Sequence, residues 1–131
     1  PLFEAMSSLG RIRLLDFIGS ASTLLLFLDP LDHASLDAEV VRVRRDLRTL
    51  DRLQVKVLAV LADDLNGCRI FAAAHLLDFP VISDDDGRLR RLYGAKGTTA
   101  FLISPDARIA AVRSAPLDME HIRTTARRLS A

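Results

Sequence analysis

The sequence predicts an α/β fold in which a mixed β-sheet is covered by helices on both faces. Three observations carry this. Residues 23–28 (TLLLFL) and 54–62 (QVKVLAVLA) are short apolar runs without helical spacing, as expected of strands buried on both faces of a parallel sheet. Between them Leu36, Val40, Val43, Leu47 and Leu50 recur at intervals of four and three, with Arg42, Arg44, Arg45 and Arg48 on the other face. That spacing predicts an amphipathic helix over residues 35–50. Its first turn would carry Asp37 and Glu39 and its last turns the Arg residues, which suits the helix macrodipole at both ends.

The remaining elements follow in order. A further strand is expected near residues 11–14. Asp63 and Asp64 can cap a second helix running to His75, with Cys68, Phe71 and Ala72 on one face, before a short strand at 79–83. The acidic turn Asp84-Asp85-Asp86-Gly87 then leads into a brief helix over 88–93 that stops at Gly94. Residues 100–103 and 109–113 flank Ser104-Pro105-Asp106-Ala107 and read as a β-hairpin. Met119, Ile122, Ala126 and Leu129 mark a final helix starting just after Pro116. With a right-handed crossover between the buried strands, a thioredoxin-like α/β sandwich is the simplest fit. No linker, repeat or low-complexity tract divides the 131 residues, so one domain over 1–131 is expected.

Composition excludes several kinds of chemistry. The chain has a single Cys, which rules out an intrachain disulfide, a Cys-x-x-Cys pair and a four-Cys zinc site. Its 18 Lys plus Arg against 17 Asp plus Glu give a net charge of +1, too near balance to imply nucleic acid or an anionic membrane as partner. The apolar runs are far shorter than the ~20 residues that span a bilayer. A soluble, cytoplasmic protein is expected, with an exported form left open because the chain begins at Pro1.

Several segments together carry a family likeness. They are Pro1 and Phe3, residues 10–19 (GRIRLLDFIG), Leu25-Leu26-Phe27 closing at Pro30, residues 57–63 (VLAVLAD), 78–84 (DFPVISD), Tyr93-Gly94, and 100–106 (AFLISPD). In order and spacing the chain resembles a peroxiredoxin of the alkyl hydroperoxide reductase and thiol-specific antioxidant (AhpC/TSA) type, nearest to the bacterioferritin-comigratory branch. The resemblance implies a thioredoxin fold and an antioxidant oxidoreductase setting. It also implies a Pro-x-x-x-Thr-x-x-Cys motif at the start of the first helix and an Arg from a later strand. An ungapped count from Pro30 puts Ala34 at the Thr position and Asp37 at the position of the reactive Cys. The same frame puts Asp46 where the family often carries an Asp. Counting back from Phe101 puts Thr98 at or near the Arg position. The resemblance therefore implies a degenerate catalytic site.

A carboxylate at position 37 would keep the negative charge of a thiolate but cannot cycle through a sulfenic acid as sulfur does. Cys68, beside Arg69 and on an apolar helix face, is the alternative redox thiol, although a lone Cys in that setting usually packs in the core. Asp32, His33 and Asp37 crowd one loop and offer oxygen and imidazole donors to a divalent metal, yet such residues populate helix starts for local reasons. The turn at 84–86 lacks the later ligands of a calcium loop, and Ser35 near His33 lacks a nucleophile elbow. Arg88, Arg90 and Arg91 read as a solvated helix face.

The expected function is an interaction or regulatory module related to thiol and peroxide metabolism, without peroxidase turnover. The alternatives are a one-Cys oxidoreductase using Cys68, a different reaction centred on His33 and Asp37, and a TlpA-like partner of a thiol–disulfide system. No cofactor is implied. A homodimer and a thiol-redox protein are the expected partners.

Overall fold

A computed structural model describes residues 1–31 and 33–130, omitting side chains for 33–35. A seven-stranded sheet runs in the order β2-β1-β5-β4-β3-β6-β7. Its strands are β1 (Glu4–Ser7), β2 (Gly10–Arg13), β3 (Ser22–Leu28), β4 (Val55–Leu61), β5 (Val81–Ser83), β6 (Thr99–Ile103) and β7 (Ile109–Ser114). The two apolar runs pair in parallel at the centre, Ser22 opposite Val55 through Leu28 opposite Leu61, and β4 pairs β5 in parallel. The pairs β1–β2, β1–β5, β3–β6 and β6–β7 are antiparallel.

The helices are α1 (His33–Arg45), α2 (Leu47–Arg52), α3 (Leu65–Ala74), α4 (Arg88–Tyr93) and α5 (Met119–Ser130), with a 3-10 turn at Leu14–Phe17. Alternate residues of the central strands point to opposite faces and each set builds a core. Leu24, Leu26, Leu28, Val57, Ala59 and Leu61 pack with α1, α2, α3 and α5. Leu25, Phe27, Leu58, Val60 and Phe101 pack with the 3-10 turn and α4. Both faces of the sheet are covered, as the apolar runs require.

Four local expectations need correction. The helix over 35–50 is two helices, because the backbone leaves helical geometry at Asp46 (φ −101°, ψ 2°), whose carboxylate pairs with Arg123 of α5. The apolar repeat passes unbroken through that kink. Since α1 begins at His33, Asp37 and Glu39 lie beyond its first turn and lose most of the macrodipole contact expected of them. Glu39 instead turns inward, 1% exposed, where it pairs with Arg42 and accepts a hydrogen bond from the Leu117 N–H at 2.7 Å. The strand at 79–83 shrinks to Val81–Ser83, since Pro80 has no N–H to extend the ladder. Finally, the strand expected at 11–14 is the second arm of a hairpin whose first arm, Glu4–Ser7, sequence patterning missed.

The end of α3 controls the surface near the site. The Leu77 N–H bonds the Ala72 carbonyl at 2.9 Å and the Leu76 N–H the Ala73 carbonyl at 3.2 Å, the crossed pair of a Schellman cap. This places Leu76 at φ +54°, a left-handed conformation that glycine usually supplies. A side chain there costs about 1–2 kcal/mol.

Candidate functional site

The carboxyl ends of β3 and β4 open onto the loop that leads into α1. That loop is held from below: the Asp29 N–H donates to Thr98 Oγ1 at 3.1 Å, and the Leu31 N–H donates to Asp29 Oδ1 at 3.0 Å. A cleft of about 400 Å³ lies beside it, lined by Pro30, Leu36, Asp37, Asp63, Phe71 and His75 among others. Its walls are α1 on one side and α3 on the other.

Of the residues singled out from sequence, Pro30 and Asp37 share this cleft. Thr98 does not line it and serves instead as a buried brace under the loop. Asp32, His33 and Ala34 lie outside the residues whose side chains are described. Among the described residues no three His, Cys, Asp or Glu side chains converge as a metal site would require.

Sequence reasoning missed the partner of Asp37. His75 Nε2 lies 3.0 Å from Asp37 Oδ1, and His75 Nδ1 lies 3.1 Å from the Phe71 carbonyl oxygen. The Phe71 and His75 rings stack at 4.1 Å, fixing the imidazole plane. Both ring nitrogens face acceptor oxygens, so the ring is held at both edges. The pair joins α1 to α3 across the cleft. With the Asp37 side chain 63% exposed, its contribution to stability is small, about 0–1 kcal/mol. Nothing in the spacing of residues 37 and 75 signals this contact.

Cys68 lies beneath the cleft rather than in it. Its residue is fully buried in the core that holds Leu28, Leu61 and Ala72. Sγ sits 3.6 Å from the Ile82 carbonyl oxygen and 3.8 Å from that of Asp63. Burial, then the negative charge of Asp63, pushes its thiol up to about 11 from the ordinary 9.0. These surroundings favour the neutral thiol, the opposite of what a nucleophilic Cys requires.

In α4, Arg88 and Arg91 are exposed, as a solvated face requires, whereas Arg90 is half-buried. Arg90 donates to the Leu28 carbonyl at 3.0 Å and the Gly97 carbonyl at 2.9 Å, with its guanidinium 5.7 Å from the Phe27 ring centre. Arg88 and Arg91 donate to the carbonyls of Glu4 and Asp86. Arg90 thus brings a cation to the end of β3 and spends its donors on backbone. Asp84, at the start of the acidic turn, is buried and caps α4, accepting from the Leu89 and Arg90 N–H groups at 2.9 and 3.0 Å.

With sheet order, cleft and loop established, the family follows from a direct match. Residues 1–112 match the AhpC/TSA family model. The chain belongs to the AhpC/TSA family. Its fold is similar to that of the peroxidoxin BcpB from Mycobacterium tuberculosis, with TM-score 0.87, 19% identity, and 98% and 94% of the two chains covered. It is also similar to peroxiredoxin Q of Xanthomonas campestris (TM-score 0.80, 19% identity, 98% and 92% covered). A putative thiol:disulfide interchange protein DsbE from Chlorobium tepidum shares the fold as well (TM-score 0.81, 23% identity, 97% and 93% covered). No curated protein sequence matches the chain. The AhpC/TSA chain described here has, among the described residues, no helix long and apolar enough to cross a membrane.

Proposed function

We propose that this AhpC/TSA chain, acting as one domain over residues 1–131, is an interaction or regulatory module of thiol and peroxide redox metabolism that does not turn over peroxide. In this reading Asp37 stands where relatives carry the reactive Cys, with Ala34 and Thr98 in place of the Thr and Arg that would assist it. The observation that carries the proposal is the separation of thiol from cleft. The cleft presents a carboxylate held by an imidazole, while the chain's single thiol is buried below it and faces backbone carbonyls.

The chemistry follows from those groups. Reduction of a peroxide by a thiolate forms an S–O bond, breaks the O–O bond, and releases the second oxygen as water or alcohol after it gains a proton. Asp37 has no atom that can be oxidised in this way and later reduced by a thiol. Cys68 could supply the sulfur only after α3 separates from the sheet, which does not favour the one-Cys oxidoreductase. A cytoplasmic setting belongs to the same proposal, since one unpaired Cys suits a reducing compartment. So does a homodimer.

The test is trapping of sulfenic acid with dimedone after a pulse of hydrogen peroxide, read by intact mass. The proposal expects no adduct on the native chain within the time that an active peroxiredoxin control is fully labelled. Rapid, stoichiometric labelling of Cys68 would overturn it.

A further inference from the structure

The cleft beside Asp37 combines apolar walls with acidic polar groups. From α3 it is lined by Gly67, Ile70, Phe71 and Ala74, the i, i+3, i+4 and i+7 positions of one helix face, and Leu36 lines it from α1. Its ionisable lining is Asp37, Asp63 and His75. Among the described residues no Lys or Arg lines it, although the chain as a whole carries a net charge of +1.

Each carboxylate keeps one oxygen free. His75 meets Asp37 Oδ1, and the Asp64 N–H donates to Asp63 Oδ1 at 2.8 Å; among the described residues neither Oδ2 accepts a hydrogen bond. Capping of α3 does not account for Asp63, because Asp64 caps that helix by accepting from the Gly67 N–H at 2.7 Å. Asp63 instead lies over Gly67, where a Cβ would run into its carboxylate. A poor helix residue thus stands where any other would push this carboxylate aside. The apolar surface extends past the cleft itself: Ile70 is 62% exposed, and Leu31, next to Pro30 of the lining, is 92% exposed.

We infer that this cleft docks a segment of a partner protein that inserts an arginine flanked by apolar side chains. Asp37 and Asp63 set the sign of the charge it must bring. A guanidinium is flat and weakly hydrated, so it suits an opening walled by Phe71 and aliphatic side chains better than an ammonium does. A free small cation would leave Leu31 and Ile70 in water; a chain that carries apolar side chains beside its arginine covers them. A second copy docking through the same face would set these carboxylates against themselves about a two-fold axis, which argues for a different partner. This inference rests on the proposal that the chain works by contact rather than turnover and names the contact.

The experiment titrates the isotope-labelled full chain with three short capped peptides and follows its amide NMR spectrum. One peptide has Leu-Arg-Leu at its centre, the second has the uncharged isostere citrulline in place of the arginine, and the third has glycines in place of the leucines. The first is expected to shift the amides of Leu36, Gly67, Ile70 and Phe71 and to bind at least about tenfold tighter than either of the others. Asp63→Asn, which keeps the shape of the side chain, should weaken it about tenfold. Ile70→Ser should weaken it as well, and neither variant should lower Tm, since both side chains are exposed. Equal affinity of the arginine and citrulline peptides, no binding of any peptide, shifts confined to another surface, or unchanged affinity in Asp63→Asn would overturn the inference. So would an Asp63-dependent dimer in sedimentation, which would assign the cleft to a second copy. Cys68-dependent peroxide turnover would instead contradict the functional proposal while leaving the peptide result to stand on its own.

Discussion

The thiol of Cys68 should be nearly inert in the folded chain, and the expected size of the effect follows from its surroundings. The reactive species toward a disulfide reagent is the thiolate. With the thiol pushed up to about 11 from 9.0, the thiolate population below pH 9 is about 100-fold smaller than for an ordinary Cys. At pH 8 it is about one molecule in a thousand. Because Cys68 is 0% exposed, this factor acts on top of steric exclusion, and reaction requires α3 to open. Titration with an aromatic disulfide at pH 8, followed by absorbance, should therefore proceed at least about 100-fold slower than for a model thiol and become immediate in denaturant. The native rate should also fall when the fold is stabilised independently of Cys68, as by Leu76→Gly. Complete reaction of the native chain at the model-thiol rate would refute the reasoning, since it would require an exposed sulfur with an ordinary or lowered pKa.

Further consequences can be checked by folding measurements. The folded thiol stays neutral while the unfolded one ionises from about pH 9.0, so this contribution is complete below pH 9, and wild type should lose about 1–2 kcal/mol relative to Cys68→Ala as pH rises from 9 toward 11. A flat difference in urea midpoints across that range would contradict this. Leu76→Gly should stabilise by about 1 kcal/mol and raise Tm by a few degrees in calorimetry; an unchanged or lower Tm would remove the strain argument. Glu39→Ala leaves the Leu117 N–H without its acceptor in a buried site and should cost about 2–3 kcal/mol in urea unfolding, against under 1 kcal/mol for Asp37→Ala, whose side chain is exposed. Comparable losses in the two variants would contradict the assignment of Glu39 as the buried clip.

Legibility in the sequence followed burial. The TLLLFL and QVKVLAVLA runs announced β3 and β4 because strands covered on both faces need apolar residues at every position. The hairpin arm Glu4–Ser7 is a four-residue strand with only two apolar residues, Ala5 and Met6, and its pairing depends on β2 and β5, so its own residues gave no signal. The break at Asp46 was hidden because the inward repeat from Leu36 to Leu50 is satisfied whether or not the helix bends; the ion pair with Arg123 is a tertiary fact. Burial of Cys68 was legible from Phe71 and Ala72 on the same face.

The candidate site was legible only as a set of positions. Pro30 and Asp37 line one cleft. His75 could not be read, because a histidine near a helix end has many uses and its partner lies on another helix. Arg90 was read as solvated because its charge run looks like an exposed helix face; its bonds to the Leu28 and Gly97 carbonyls exist only once α4 is set beside the end of β3.

The account rests on the claim that the AhpC/TSA fold is kept here without its peroxide chemistry. The most direct measurement is hydrogen peroxide consumption with dithiothreitol as reductant, comparing wild type, Cys68→Ser and buffer alone. The account predicts three indistinguishable rates. A saturable rate in wild type that vanishes in Cys68→Ser would contradict it.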